Sequence, residues 1–356
     1  MSRRHSLGIK IRPLDPSNAP AWDRFVAAQP SATFFHQAAW ARVLQQAFRH
    51  RPLHVMAERD GAVTGVLPLV EVRTRLFGHV LMSSPFCVYG GPLAADRDSL
   101  AALLAEAQRQ LAATGASALE LRLLDPAAED WPGRAADWPT RDDLYATFRR
   151  PITGDDDANL NAIPRKQRAV IRKAISAGLA ARLDQDVDGL HRVYAESVRN
   201  LGTPVFSRRY FRILREAFAD QMDVLSVQQG ERTVAAVLSF YWRDQVLPYY
   251  GGGAAVARDC HAHDFMYWEV MRAAARRGCR LFDFGRSKRG TGAFAFKCHW
   301  GFAPTPLVHR YRLAPGKAMP DHNPLNPKYR LFIAAWRRLP LAVANLLGPS
   351  IVRGAG

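Results

Sequence analysis

The residues with the most chemical capacity lie between positions 160 and 300. A helix opening at Pro164 reads PRKQRAVIRKAISAG. At 100° per residue, Arg165, Lys166, Arg168, Arg172 and Lys173 share one arc, with Val170, Ile171, Ala174 and Ile175 opposite. Pro164 stands where a first-turn proline is tolerated. A basic face of this density grips a phosphorylated or nucleic-acid ligand, or is simply solvated. Further along, Lys297 sits in the aromatic segment FAFKCHWGF. It is either a surface lysine beside a buried aromatic or a fixed cation, which would lower the barrier of a reaction such as acyl transfer in which negative charge builds on an oxygen. Arg286, Lys288 and Arg289, in the glycine-containing loop RSKRGTG, offer cations for phosphate or form a mobile basic loop.

A general base needs only to accept a proton within hydrogen-bond reach, and Asp283, Asp264, Glu269 and His299 are candidates. Asp283 lies in the apolar strand LFDFG, where burial raises a carboxylate pKa; a buried structural aspartate is the alternative. Cys260, His261, His263 and Asp264, with Cys298 and His299, lack the ligand spacing of standard zinc sites, so no metal is expected. A Cys–His nucleophile pair is equally unsupported.

Positioning such groups requires a scaffold. With 356 residues the chain exceeds what one core usually supports, so two domains are expected. The formal charge of +17 is supplied mostly by arginine, which suits planar recognition of phosphate and carboxylate. RNA, a phosphorylated or nucleotide-linked small molecule, and the acidic cytoplasmic face of a membrane are the partners that fit. The four cysteines form no CxxC pair, which suits a reducing compartment. The N-terminus lacks the apolar core of a signal peptide, and no apolar run is long enough to span a bilayer. A cytoplasmic protein is expected, peripheral on the inner face of the plasma membrane if it meets a membrane at all.

The two halves share one grammar: helix, helix, strand, turn, strand, strand, Gly-Gly, helix, Gly, strand. In the first half, helices fall near 21–28 and 38–48, strands near 53–58, 63–70 and 79–89, a helix over 100–114, and a strand over 118–124. In the second, helices fall near 190–200 and 208–218, strands near 224–228, 234–242 and 246–250, a helix over 264–277, and a strand over 280–284. Tyr89-Gly90-Gly91 answers Tyr250-Gly251-Gly252. A repeat this long implies a duplicated domain of mixed α/β type. The boundary falls in the Pro-, Gly- and Asp-rich stretch 131–157.

Phe34–Trp40 (FFHQAAW), the basic helix, the Tyr250-Gly251-Gly252 break, LFDFG and FAFKCHWGF, taken in order, resemble the FemAB family of tandem GNAT-like transferases. Residues 20–312 carry the likeness. The style is most similar to the FemAB-related proteins of exosortase/PEP-CTERM and exopolysaccharide loci. The resemblance implies two tandem GNAT-like acyltransferase lobes, α/β with mixed sheets. These are an N-terminal lobe (1–150), a C-terminal lobe with the catalytic cleft (151–320) and a basic, apolar tail helix (321–356). It implies transfer of an acyl or aminoacyl group to an amine or hydroxyl of a cell-envelope or exopolysaccharide precursor. Lys297 would stabilise the oxyanion, with Asp283 as base. Arg165, Lys166, Arg168, Arg172, Arg199, Tyr249, Tyr250, Arg286 and Lys288 would bind substrate, Arg199 matching an acceptor-binding arginine. Tyr249 and Tyr250 would stand where two strands split to admit the donor, unless they are ordinary aromatic packing residues of that strand.

No tightly bound cofactor is implied; the donor is aminoacyl-tRNA or acyl-CoA, and the anionic partner tRNA or a nucleotide- or lipid-linked sugar. Two departures matter. GGGAAVARD follows Tyr250 in place of the GNAT pyrophosphate-binding motif, and Leu44 replaces the lysine of muropeptide-binding members. An acyl-CoA- or carrier-dependent acyltransferase, and a non-catalytic membrane-associated assembly protein, are the competing readings. Residues 329–353, apolar, broken by Pro340 and flanked by arginines, are expected to lie on an anionic membrane surface or pack on the second lobe. The sequence leaves oligomeric state open.

Overall fold

A computed structural model describes residues 8–74, 78–124, 131, 137–319 and 330–354. They divide into two units, one from residues 8–143 and 307–319, the other from 144–306 and 330–353.

The first unit holds helices Ala19–Ala28, Ala39–Phe48 and Arg97–Thr114 and two sheets. A four-stranded sheet runs Lys10–Pro13, Val55–Arg59, Ala62–Leu67, Leu93–Ala94. A six-stranded sheet runs Arg51–Pro52, Leu69–Thr74, Gly78–Ser83, Ala118–Leu123, Val308–Leu313, Thr140–Arg141. The single strand expected over 63–70 is therefore two, in different sheets. Pro68 interrupts it, because proline brings no N–H to a ladder. The strand expected to reach Tyr89 stops at Ser83, where Ser84 and Phe86 take positive φ values of 48° and 65°. Helix Arg97–Thr114 closes at Gly115, φ 68°, as expected, but begins three residues earlier than expected, where the Asp96 side chain accepts from Ser99 N–H.

The second unit is built on a seven-stranded sheet, ordered Ala180–Asp184, Met222–Gln229, Arg232–Trp242, Gln245–Gly253, Leu281–Lys288, Tyr145–Pro151, Pro304–Pro306. Helices Val187–Leu201 and Ala262–Arg276 lie on opposite faces. A Cβ on Gly252 would point at Tyr194 and Ser197 of the first helix; one on Gly251 would point at Met266 and Tyr267 of the second. That alternation is the period of a strand buried on both sides.

Each unit contains one parallel strand pair, registered at two positions only. These are Leu81↔Leu119 and Met82↔Glu120 in the first unit, and Gln245↔Leu281 and Val246↔Phe282 in the second. The duplicated grammar is thus also a duplicated topology. The boundaries differ from the expected ones in three places. Strand Tyr145–Pro151 belongs to the second unit, pairing with Leu281–Lys288 and Pro304–Pro306. Strand Val308–Leu313 returns to the first, along Ala118–Leu123. Helices Arg330–Arg338 and Leu341–Val352 are part of the second unit and pack on helix Val187–Leu201. None of the described helices is long and apolar enough to cross a membrane.

Candidate active site

Strands Gln245–Gly253 and Leu281–Lys288 start side by side and then part. Their pairing ends at Val246↔Phe282, although the first continues to Gly253 and the second to Lys288. At about 3.3 Å per residue, the unpaired edges run on for roughly 20 Å. A register shift opposite Leu238 and Ser239 leaves Tyr249 as a bulged residue on the parting strand.

Lys297 reaches one of the two parting strands, Leu281–Lys288, beyond its last paired position. It lies on helix Gly292–His299, whose Thr291 cap accepts from Phe294 N–H at 3.3 Å. The Phe294 ring packs edge-on against Phe148, and Phe296 packs near Tyr267, Phe284 and Trp300. These anchors aim Lys297 back at strand Leu281–Lys288. Its ammonium donates to Gly285 O at 3.1 Å and Arg286 O at 3.0 Å, three and four residues past the last paired position. It lies 5.3 Å from the Phe148 ring centroid and 5.6 Å from that of Phe284. The residue as a whole is half-buried. Burial therefore brings its pKa down to about 7, Arg286 adding to the shift and Asp283 opposing it.

Asp283 is 1% exposed. One oxygen lies 3.2 Å from Arg149 Nε and the other accepts from Gly285 N–H at 2.8 Å. Asp283 is thus half of an ion pair with Arg149. Arg149 comes from strand Tyr145–Pro151, which sequence reasoning had assigned to the linker and first lobe. Arg286 stacks over Tyr145 at 5.0 Å. Lys288 ends the strand, and its carbonyl accepts from the Thr291 hydroxyl at 2.7 Å. Lys297, Asp283 and Arg286 are thus brought together, while Arg149 and Phe148 are wall residues that the sequence reading missed. The signal was the short apolar-polar alternation YATFR.

Two other expectations find different surroundings. Tyr250, expected at the donor opening, is buried in an aromatic cluster with Tyr194, Phe206 and Phe211, and its hydroxyl bonds that of Tyr210 at 2.8 Å. Tyr249 is half-buried against Phe240. Arg199, expected to bind acceptor, donates to Arg337 O at 3.3 Å and so caps helix Arg330–Arg338. The following segment keeps its amides to itself. Ala254 N–H bonds Val234 O, Ala255 N–H bonds Glu196 Oε1, and Ala257 N–H bonds Ala254 O.

The basic helix Arg165–Ile175 is tied to the lysine helix. Gly301, at φ 80°, ends the latter so closely against Pro164 that an added Cβ would lie 2.8 Å from the proline ring. Arg150 bridges Ala162 O and Trp300 O at 3.1 and 3.2 Å. Asp264 accepts from Trp300 Nε1 at 3.0 Å and from the Gln167 amide, and its burial raises its pKa. Arg165, Lys166, Arg172 and Lys173 are exposed and Arg168 half-exposed; Ile171 and Ala174 are buried, but Ile175 is 45% exposed. Among the described residues none of these five cations forms an ion pair.

In the first unit the corresponding gap is filled. Strand Gly78–Ser83 ends just past its paired positions, and the loop behind it is stitched to strand Ala118–Leu123. Gly90 N–H bonds Arg122 O at 3.1 Å, and Arg122 Nη1 donates to Cys87 O at 3.0 Å. A Cβ on Gly91 would lie 2.3 Å from Leu123. Leu44, standing where a muropeptide-binding lysine would be, is fully buried.

Comparison with known proteins agrees with this geometry. Residues 165–297 match the family model described as Acetyltransferase (GNAT) domain, which ends on Lys297. FemX is similar over 86% of this chain and 97% of its own, with a TM-score of 0.67 at 15% identity. A tandem GNAT protein from the clavulanic acid biosynthesis pathway has a TM-score of 0.56 at 14% identity, covering 87% and 100%. The C-terminal domain of a putative lysylphosphatidylglycerol synthetase from Agrobacterium fabrum has a TM-score of 0.55 at 12% identity, covering 84% and 92%. No curated protein sequence matches the chain. The chain has a tandem GNAT fold, and residues 165–297 of its second unit match a GNAT domain.

Proposed function

We propose that the second unit transfers an acyl or aminoacyl group to an amine or hydroxyl of a cell-envelope or exopolysaccharide precursor. Lys297 stabilises the oxyanion in this reading. One observation carries it: a cation held by two carbonyls of a strand that has parted from its parallel neighbour, with two aromatic rings nearby. The acceptor nitrogen or oxygen attacks the donor carbonyl carbon. That bond forms as the carbonyl electron pair moves onto oxygen, and it is this oxygen that Lys297 meets. An ammonium has three N–H donors, and Gly285 and Arg286 take two. The third is left for the oxyanion. Because burial penalises the charge in the resting site, the ammonium gains most when negative charge appears beside it, which favours the transition state.

As the carbonyl re-forms, its bond to the donor's sulfur or ribose oxygen breaks, and the proton released by the acceptor passes through water to that departing atom. Asp283, engaged by Arg149 and Gly285, acts as the fixed counter-charge to Lys297 in place of the base expected from the sequence. Arg165, Lys166, Arg168 and Arg172 hold the anionic partner next to the lysine helix, and Arg286 and Lys288 line the entrance.

Aminoacyl-tRNA is the favoured donor. The amides of Ala254, Ala255 and Ala257, after the glycine run, are bonded within the chain and so are not offered to a pyrophosphate. The unpaired cationic helix suits a polyanion. The test supplies the chain with an envelope extract and either labelled aminoacyl-tRNA or labelled acyl-CoA. RNase-sensitive transfer from the tRNA supports this reading, and transfer from acyl-CoA alone replaces the donor. Transfer from neither, with folded protein, removes the enzymatic assignment.

A further inference from the structure

Helices Arg330–Arg338 and Leu341–Val352 leave more apolar side chain in water than a packed pair would. Leu331 is 83% exposed, Leu346 77%, Leu347 45%, Phe332 40% and Val343 38%. Helix Leu341–Val352 divides its surface by arc. Ala344, Gly348 and Val352 face the core, and a Cβ on Gly348 would lie 2.9 Å from Val205 N. The opposite arc carries Val343, Leu346 and Leu347. Helix Arg330–Arg338 is fixed by buried Trp336, on which the half-exposed Phe332 ring stacks, and by Ile333, which an added Cβ on Gly202 would meet at 2.5 Å. The apolar arcs are therefore held outward by a packed scaffold.

The charge carried by this stretch of chain itself has one sign. After Asp321 the chain has no Asp or Glu, while Arg337 and Arg338 are exposed at the end of the first helix. Between the two arcs of the second helix, Leu341 and Asn345 line a cavity of about 470 Å³. Its other walls bring Arg192, Arg208 and Arg232 against Glu196 and Glu231, and Glu196 is already bonded to Ala255 N–H. Asn345 Oδ1 is buried with no hydrogen-bond partner.

We propose that these two helices form an interfacial face that docks on an anionic lipid bilayer, with Leu331, Phe332, Leu346 and Leu347 entering the acyl boundary. Arg337 and Arg338 meet the headgroup layer, and the arginine-walled cavity receives a lipid phosphate. Outward leucines flanked by arginines suit a surface that is apolar below and anionic above. The proposal does not depend on the transferase reading.

The test is co-sedimentation of the full chain with vesicles of phosphatidylcholine alone, or mixed with phosphatidylglycerol. The chain is expected to bind the mixed vesicles, to bind the neutral ones far less, and to be released by high salt. Leu331→Glu with Leu346→Glu, both at exposed positions, is expected to lower partition by at least about tenfold per substitution. Thermal transition and circular dichroism should stay unchanged. Arg338→Gln is expected to lower anionic-vesicle binding by several-fold and leave neutral-vesicle binding alone. Unchanged partition in the double glutamate variant overturns the proposal, as does equal binding to both vesicles. So does a dimer in sedimentation velocity that the variant dissociates without any vesicle binding, since the face would then join two copies of this chain.

Discussion

Replacing Lys297 by methionine separates the two consequences of burying a cation. In the folded chain the ammonium titrates near pH 7, against an ordinary 10.5. Between those values the unfolded chain keeps a proton that the folded chain releases, so wild-type stability rises with pH across that window. Below pH 7 both states hold the proton and the dependence vanishes; above 10.5 neither does. At 1.36 kcal/mol per pKa unit, wild type gains roughly 2 kcal/mol on the methionine variant between pH 7 and 9. The assay is urea unfolding of both proteins at a series of pH values, reading the difference in free energy. Since the neutral side chain shares the wild-type scaffold, other titrations cancel. A difference that stays flat from pH 7 to 9 would refute the claim that the ammonium is desolvated.

Other consequences follow from named contacts. Gly252→Ala places a Cβ 2.8 Å from Ser197 Cβ and 2.9 Å from Tyr194 Cα, so helix Val187–Leu201 must shift; the expected loss is about 1–3 kcal/mol in denaturant unfolding. Tyr250→Phe deletes the 2.8 Å bond to Tyr210 inside the aromatic cluster, and a loss of about 1 kcal/mol with donor binding unaltered would match its packing role. Arg165→Gln with Arg172→Gln is expected to weaken tRNA binding and flatten the log–log salt slope by about 2, measured by titration across salt.

The helices and most strands are legible in the sequence because their signals are local. Gly115 announces the end of one helix, and alternating apolar residues announce Ala118–Leu123. What escapes is long-range. Nothing in the letters of Tyr145–Pro151 says that this strand crosses the linker region to wall the lysine. Nor does the alternation of Val308–Leu313 reveal that it returns to the first unit's sheet. Pro68 was a readable breaker, since its missing N–H splits one expected strand into two. Lys297 was found through its aromatic neighbours and by likeness. Its counter-charge was misread because Asp283's partner Arg149 lies 134 residues away in sequence. Tyr250 shows the same limit. Its place at a strand opening was legible, but its burial depends on Tyr194 and Phe211 from two helices.

The most direct measurement is single-turnover transfer from labelled aminoacyl-tRNA to an envelope acceptor by wild type and Lys297→Ala, with tRNA binding measured in parallel. A rate loss of about 10²–10³ at unchanged tRNA affinity is the expected result. Equal rates from the two proteins would contradict the assignment of the oxyanion to this lysine.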